Sequence, residues 1–113
     1  QGVNIIFFSA RVGSISENEL GGWYGYRASK AALNMLVKTA AVEYKRRAPN
    51  VSLMCYHPGT VDTGLSKPFQ ANVKPEKLFT PQFTVEQLLS ICADLNPEQS
   101  PFYLDWKGEA IAW

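Results

Sequence analysis

An almost wholly apolar run near the start of the chain, Val3–Phe8, constrains the fold more than any other feature of the sequence. Its residues are β-branched or aromatic except for Asn4. The composition is typical of a strand, and the lack of alternating polar positions indicates burial on both faces. Strands of that kind occur in parallel sheets covered by helices, so the sequence predicts an α/β protein.

Helical and strand patterns alternate along the rest of the chain. A helix is predicted at 24–48, where few polar positions remain and burial on more than one side is expected. Strands are predicted at 51–56 and 102–106, and between them a second helix that begins at Thr84 as N-cap with Gln87 as its capping-box partner. The order strand-helix-strand-loop-helix-strand predicts parallel strands with crossover helices. Three strands are few for a complete doubly wound sheet, so we expect the second half of one.

Two long connections separate these elements. Residues 9–22 are rich in glycine and serine, and residues 60–82 are rich in proline. The second connection is expected to form a long excursion with one short helical turn. Connections of this length in compact domains usually have a functional role.

Composition and single residues exclude several kinds of function. The net charge of +1 gives no reason to expect a nucleic acid partner, and no apolar run is long enough to cross a bilayer. Cys55 and Cys92 fit no paired metal or redox spacing, so we expect two buried free thiols in a reducing cytoplasm. His57 is the single histidine, which excludes a histidine-rich metal site. A structural role is favoured for it over membership of a Ser-His-Asp triad.

Tyr26 and Lys30 form a Y-x-x-x-K pair near the start of the long predicted helix. Residues at i and i+4 lie on one helical face, with Cβ atoms about 5–6 Å apart. A free tyrosine hydroxyl ionises only near pH 10, but a cation close by favours the phenolate and makes tyrosine a useful acid–base group at neutral pH. The pair alone is weak evidence, because a helix can hold a packed tyrosine and a solvated lysine at this spacing by chance.

Three runs of sequence place this pair in a wider pattern. They are SARVGSI at 9–15, GWYGYRASKAALN at 22–34 and HPGTVDT at 57–63. In this order, each at the end of a predicted strand or the start of a helix, they resemble the short-chain dehydrogenase/reductase family, with the C-factor and carbonyl-reductase-like branch the most similar. The resemblance covers the whole chain and implies that residues 1–113 are the C-terminal, catalytic and substrate-binding half of a Rossmann-like domain.

The resemblance also implies roles for individual residues. Tyr26 would be the general acid–base, and Lys30 would also hold the ribose hydroxyls of a nicotinamide cofactor, NADP or NAD. The turn after the second strand would contact the nicotinamide through Pro58, Gly59, Val61 and Thr63. The excursion that follows would bind an apolar part of a small-molecule carbonyl or alcohol substrate.

Two departures from the family pattern stand out. Matching Gly13 to the family's glycine puts the usual carbonyl-binding serine at Ala10. Ser9 is one residue early and would point to the opposite face of an extended chain. Ser14 is the preferred substitute, and it stays open whether any serine replaces the missing one.

The second departure concerns the cofactor. Residues 1–113 lack the glycine-rich phosphate loop, the family's active asparagine and the region that selects NADP or NAD. We therefore expect the parent protein, rather than this half alone, to bind the cofactor.

Two functions of different classes remain. The first is an NAD(P)H-dependent oxidoreductase of the carbonyl reductase or alcohol dehydrogenase type. The second is a non-catalytic binding or C-factor-like signalling module on the same scaffold. In either case the apolar helix at 24–48 predicts a homo-oligomer, because it has more apolar surface than one sheet face can cover.

Overall fold

The computed structural model describes residues 2–113, which form a parallel sheet with a helix on each face. The elements in chain order are β1 (Val3–Phe8), α1 (Tyr24–Arg47), β2 (Val51–His57), β3 (Thr60–Val61), β4 (Leu78–Phe79), α2 (Pro81–Ala93) and β5 (Phe102–Asp105). The main sheet has the order β1-β2-β5, and both of its pairings are parallel. The predicted α/β class and the predicted order of elements are confirmed.

The core lies on both faces of the central strand β2. On one face Leu53 and Cys55 pack with Val37 and Ala41 of α1. On the other face Met54 and Tyr56 pack with Leu104 and with the apolar side of α2. The strand buried on both faces is therefore β2. The same expectation for β1 is wrong in this chain, because β1 is an edge strand whose ends are exposed.

The long helix α1 ends within one residue of its predicted boundary. Its last turn carries Lys45, Arg46 and Arg47, where cations favour the negative end of the helix dipole. One face packs on the sheet through Val37 and Ala41. The opposite face exposes Met35, Leu36 and Val42, so burial on more than one side is wrong for a single copy of the chain.

The second helix begins earlier than the sequence predicted. Thr80 is the N-cap, and its hydroxyl accepts a hydrogen bond from the Phe83 N–H at 3.1 Å. Pro81 takes the first helical position, where its fixed φ suits the helix and its missing N–H costs nothing. Thr84 as N-cap is therefore wrong, and Gln87 makes no capping box. Its side-chain amide instead donates to the Trp106 carbonyl oxygen at 2.9 Å.

The proline-rich excursion has more structure than was predicted. Two 3-10 turns, Lys67–Asn72 and Pro75–Lys77, replace the one expected helical turn. Strands β3 and β4 pair in parallel, with Val61 opposite Phe79. This small pairing brings the far end of the excursion back to the turn that follows β2. No helix within residues 2–113 is long and apolar enough to cross a membrane.

The C-terminal tail folds back over the sheet and the first long loop. The Ile111 N–H donates to the Tyr103 carbonyl oxygen at 2.8 Å, and the Ile15 N–H donates to Trp113 at 3.0 Å. The ring of Trp113 lies 5.0 Å from that of Tyr103. The tail thereby holds the loop after β1 in place.

Candidate functional site

The residues predicted to form the site gather at the carboxyl edge of the sheet. The loop after β1, the turn after β2 and the start of α1 all lie at this edge, because β1 and β2 run parallel. Lys30 connects the start of α1 to the end of β1. Its Nζ donates a hydrogen bond to the carbonyl oxygen of Phe8, the last residue of β1, at 3.2 Å. Ligands of open α/β sheets bind outside this edge.

Tyr26 and Lys30 contact each other on one face of α1. The Nζ atom of Lys30 lies 5.7 Å from the centroid of the Tyr26 ring. This is within the distance at which a cation is attracted to an aromatic face. Tyr26 is 47% exposed, so its side chain is accessible to a ligand while it stays close to the cation.

Gly13 lets the loop after β1 lie directly against α1. A Cβ atom at this position would come within 2.8 Å of the Lys30 Cβ and 3.0 Å of the Lys30 backbone. The 3-10 turn Arg11–Gly13 therefore packs on the helix at the position of the lysine. A residue larger than glycine would push that turn away from Lys30.

The hydroxyls of both candidate serines are buried and bonded to groups other than Tyr26. Ser9 is 5% exposed, and its hydroxyl donates to Asn34 Oδ1 at 2.7 Å. Ser14 is 1% exposed, donates to the Ala112 carbonyl oxygen and accepts from the Glu17 N–H at 3.2 Å. A hydroxyl has one donor, and that donor is used in each case. This geometry argues against the preference for Ser14 as a substitute for the serine missing at Ala10.

The turn after β2 is built around Gly59. Its φ is +77°, and a Cβ atom there would lie 2.7 Å from the Phe79 ring. Pro58 and Gly59 are half-buried, whereas Thr63 is exposed. Val61 belongs to the short β3–β4 pairing. The four residues predicted to contact a nicotinamide thus all lie within residues 58–63, directly after the carboxyl end of β2.

A polar network beside this stretch was not foreseen from the sequence. The Arg11 guanidinium pairs with Glu17 and with Asp105, at 2.8 Å in each case. The Asp105 side chain is 5% exposed and also accepts from the N–H groups of Lys107 and Glu109 at 2.9 and 3.0 Å. His57 lies opposite Asp105 in the sheet register. The network fastens the ends of the three main strands together.

His57 is a neutral member of this network. Its Nδ1 accepts a hydrogen bond from the backbone N–H of Arg11 at 3.1 Å. Burial, followed by the charge of Arg11, lowers the pKa of His57 to about 4. A neutral histidine with an accepting Nδ1 agrees with the structural role that the sequence favoured. The signal that could have revealed the network is that His57 directly follows the predicted strand 51–56, and Asp105 is next to last in the predicted strand 102–106.

Known proteins similar to this chain agree with its fold and motifs. The family model described as short chain dehydrogenase matches residues 1–74. The C-signal protein of Myxococcus xanthus is 33% identical over 105 residues, which are 93% of this chain and 58% of that protein. The 1-hydroxy-2-glutathionyl-2-methyl-3-butene dehydrogenase of Rhodococcus sp. (strain AD45) is 32% identical over 113 residues, which are 100% of this chain and 48% of that enzyme.

A solved structure shows the same arrangement of elements. The NADPH-bound carbonyl reductase from chicken fatty liver superimposes with a TM-score of 0.78 at 30% identity, over 97% of this chain and 42% of that chain. The chain therefore belongs to the short-chain dehydrogenase family. It spans about half the length of the relatives it matches. The resemblance in its motifs and the Rossmann-like fold expected from it are confirmed.

Proposed function

We propose that the protein containing this chain is an NAD(P)H-dependent oxidoreductase of the carbonyl reductase or alcohol dehydrogenase type. The observation that carries the proposal is the contact between Lys30 and the accessible ring of Tyr26 at the carboxyl edge of the sheet. Solved relatives include carbonyl reductases, one of them with NADPH bound. In this proposal residues 1–113 form the catalytic and substrate-binding half of the domain.

Tyr26 acts as the proton donor in the proposed reduction. When bound, the nicotinamide supplies the hydride that the carbonyl carbon accepts. The Tyr26 hydroxyl gives its proton to the carbonyl oxygen, so that the C=O bond becomes a CH–OH group. The ammonium of Lys30 lies 5.7 Å from the centroid of this ring and so places a positive charge close to the proposed proton donor. In the reverse direction the deprotonated Tyr26 oxygen accepts the proton of an alcohol, and Lys30 keeps its own protons.

The residues present fit the nicotinamide half of a dinucleotide. An ammonium group has three N–H donors, and the bond to Phe8 uses one of them. The others are suited to the ribose hydroxyls. Pro58, Gly59, Val61 and Thr63 would contact the nicotinamide from the turn after β2. The adenosine half and the choice between NADP and NAD belong to residues outside 1–113.

The absence of a serine at position 10 lowers the reaction rate that we expect. Ala10 has no hydroxyl, and the hydroxyls of Ser9 and Ser14 are both committed to other partners. The substrate oxygen therefore receives one donor, from Tyr26. The loss of a second donor costs on the order of a hundredfold in rate. We expect a slow enzyme, or one whose second donor lies outside this chain.

A second candidate function follows from the same observation. A binding or signalling module needs no donor at Ala10, and one relative, 33% identical, bears the name C-signal. In that case Tyr26 and Lys30 would serve ligand binding rather than proton transfer. The two functions make opposite predictions for the Tyr26→Phe variant.

The discriminating experiment uses the full-length protein. Oxidation of NADPH and NADH would be followed by absorbance with a panel of aldehydes and ketones. For a reductase we expect Tyr26→Phe to lower kcat by at least about a hundredfold with an unchanged circular dichroism spectrum. A matched control is Tyr24→Phe, since Tyr24 is exposed on the same turn of α1. Equal activity of wild type and Tyr26→Phe would overturn the acid–base assignment, and an inactive wild type would favour the second candidate.

We further propose that the exposed face of α1 pairs with a second copy of the chain. Met35, Leu36 and Val42 form an uncovered apolar surface on this helix. Leu36→Glu is expected to shift the oligomer toward monomer in analytical ultracentrifugation. The control is Leu65→Glu, because Leu65 is an equally apolar exposed residue on the excursion.

The thiols of Cys55 and Cys92 are both free, which supports a cytoplasmic location for the protein.

A further inference from the structure

Three aromatic rings form a continuous surface beside the proposed catalytic hydroxyl. The ring of Trp23 lies 6.1 Å from that of Tyr26 and 5.7 Å from that of Phe69, measured between centroids. Trp23 immediately precedes α1, and Phe69 belongs to the excursion. Trp23 is 59% exposed, so its position is not explained by packing in the core. Its ring connects the catalytic helix to the segment predicted to bind substrate.

The backbone at Trp23 is held in an unusual conformation. Its φ is +55°, in the left-handed region that bulky residues rarely adopt, and Gly21 and Gly22 before it also have positive φ. Such a conformation persists where the surroundings hold it, and it concentrates at functional sites. Here the Arg27 side chain does so: its Nε donates to the Gly22 carbonyl oxygen at 2.8 Å and its Nη2 to that of Gly21 at 3.1 Å.

We propose that Trp23 determines substrate specificity by selecting carbonyl compounds with a planar aromatic group next to the carbonyl carbon. The inference rests on the proposed function, because the Tyr26 hydroxyl must reach the carbonyl oxygen. A substituent of that carbonyl then lies over the neighbouring ring, which is Trp23. Aromatic pairs favour offset or edge-to-face arrangements with centroids 4.5–7 Å apart, and an accessible indole face offers both. Phe69 closes the far side of this surface.

The first arm of the test measures binding and needs no turnover. The full-length protein is saturated with NADP⁺, which has no hydride to give, and titrated by calorimetry with acetophenone and with cyclohexyl methyl ketone. These two ketones differ in the planarity and π-electrons of one ring of similar size. Wild type is expected to bind acetophenone more tightly, by about fivefold to tenfold, the effect of one aromatic pair.

Two substitutions at one position separate a ring from simple apolar bulk. Trp23→Leu is expected to remove the preference for acetophenone, whereas Trp23→Phe is expected to keep it within about twofold. Leu20→Ala is the control, because Leu20 lies in the same loop and is almost fully exposed. The inference would be overturned if Trp23→Leu weakened the binding of both ketones equally or left the preference for acetophenone unchanged. It would also be overturned if wild type bound neither ketone.

The second arm separates this inference from the proposed function. NADPH-dependent reduction of the same two ketones is measured for wild type, Trp23→Leu and Tyr26→Phe. For Trp23→Leu we expect a raised KM for acetophenone and a kcat that changes less than twofold. If Tyr26→Phe retains full activity while the binding preference still depends on Trp23, the proton donor is misassigned and the aromatic site stands. If Tyr26→Phe is inactive and the preference for acetophenone is independent of Trp23, Tyr26 is the proton donor and the aromatic site is refuted.

Discussion

The Nζ of Lys30 donates a hydrogen bond to the carbonyl oxygen of Phe8, 3.2 Å away, and so ties α1 to the end of β1. The same ammonium lies beside the Tyr26 ring. The lysine is thus held in position by the sheet before any ligand arrives. In the proposed function, a charge positioned in this way needs no reorganisation at the moment of proton transfer.

Replacing Lys30 tests whether this charge serves catalysis. Lys30→Met in the full-length protein is expected to lower kcat by about a hundredfold, because the phenolate of Tyr26 loses its cation. KM for the nicotinamide cofactor should rise as well, since the ribose hydroxyls lose their donor. Steady-state kinetics with cofactor and substrate varied in turn measures both effects. Lys45→Met, on the last turn of the same helix, is the control, and equal kinetics for the two variants would contradict the role of Lys30.

Gly13 and Gly25 offer a matched pair for the packing of the first loop on α1. A methyl group at Gly13 would meet Lys30 Cβ at 2.8 Å, whereas one at Gly25 would meet nothing within 4 Å. Gly13→Ala is expected to destabilise the protein by about 1–3 kcal/mol through overpacking. Gly25→Ala is expected to stabilise it by up to about 1 kcal/mol, because glycine disfavours a helix. Urea unfolding measures both, and the same sign for the two variants would refute the close approach at Gly13.

The sequence predicted the regular elements well where a pattern runs over many residues. Strand β1 matches its predicted bounds, and β2 and α1 each end within one residue of theirs. The strands were predicted from short runs of β-branched and aromatic residues, and α1 from apolar spacing that continues over more than twenty residues. The start of α2 was misplaced by a capping pattern at Thr84, because a proline at the first helical position decided the boundary.

The parts that were not predicted depend on contacts between distant residues. Strands β3 and β4 have two residues each, which is too short for any periodicity. Arg11 and Asp105 are 94 positions apart, and their pairing exists because the ends of parallel strands meet. The partner of Ser14 is the carbonyl group of Ala112 in the C-terminal tail, and no local pattern indicates where a tail will fold. Contiguous motifs could therefore be placed from the sequence, whereas contacts that only the tertiary structure assembles could not.

Asp105 tests the stabilising role of the network at the strand ends. Asp105→Asn removes a buried charge that accepts from Arg11 and two backbone N–H groups. The expected loss of stability is about 1–3 kcal/mol, since Arg11 itself is partly exposed. Asp62→Asn is the control: its ion pair with Lys67 spans 4.0 Å between exposed side chains and should change stability by less than about 0.5 kcal/mol. If chemical denaturation showed the same loss of stability for both variants, the network would not be a stabilising feature.

His57 makes the stability of the protein depend on pH. Burial and the charge of Arg11 lower its pKa from the ordinary 6.5 to about 4, against the opposing charges of Asp105 and Glu17. Between these two values the unfolded chain binds a proton that the folded chain does not, so stability falls as the pH is lowered from about 6.5 toward 4. The full loss attributable to His57 is on the order of 3 kcal/mol.

The measurement for His57 is the difference between two unfolding curves. The free energy of unfolding is determined from pH 7.5 to 4.5 for wild type and for His57→Gln. Glutamine keeps an acceptor for the Arg11 N–H but does not titrate. The free energy of unfolding should therefore change less steeply with pH in the variant below pH 6.5. Because His57 is the only histidine of this chain, the difference between the curves isolates its contribution. Parallel curves for the two proteins would show that His57 is protonated as readily in the folded state as in the unfolded one.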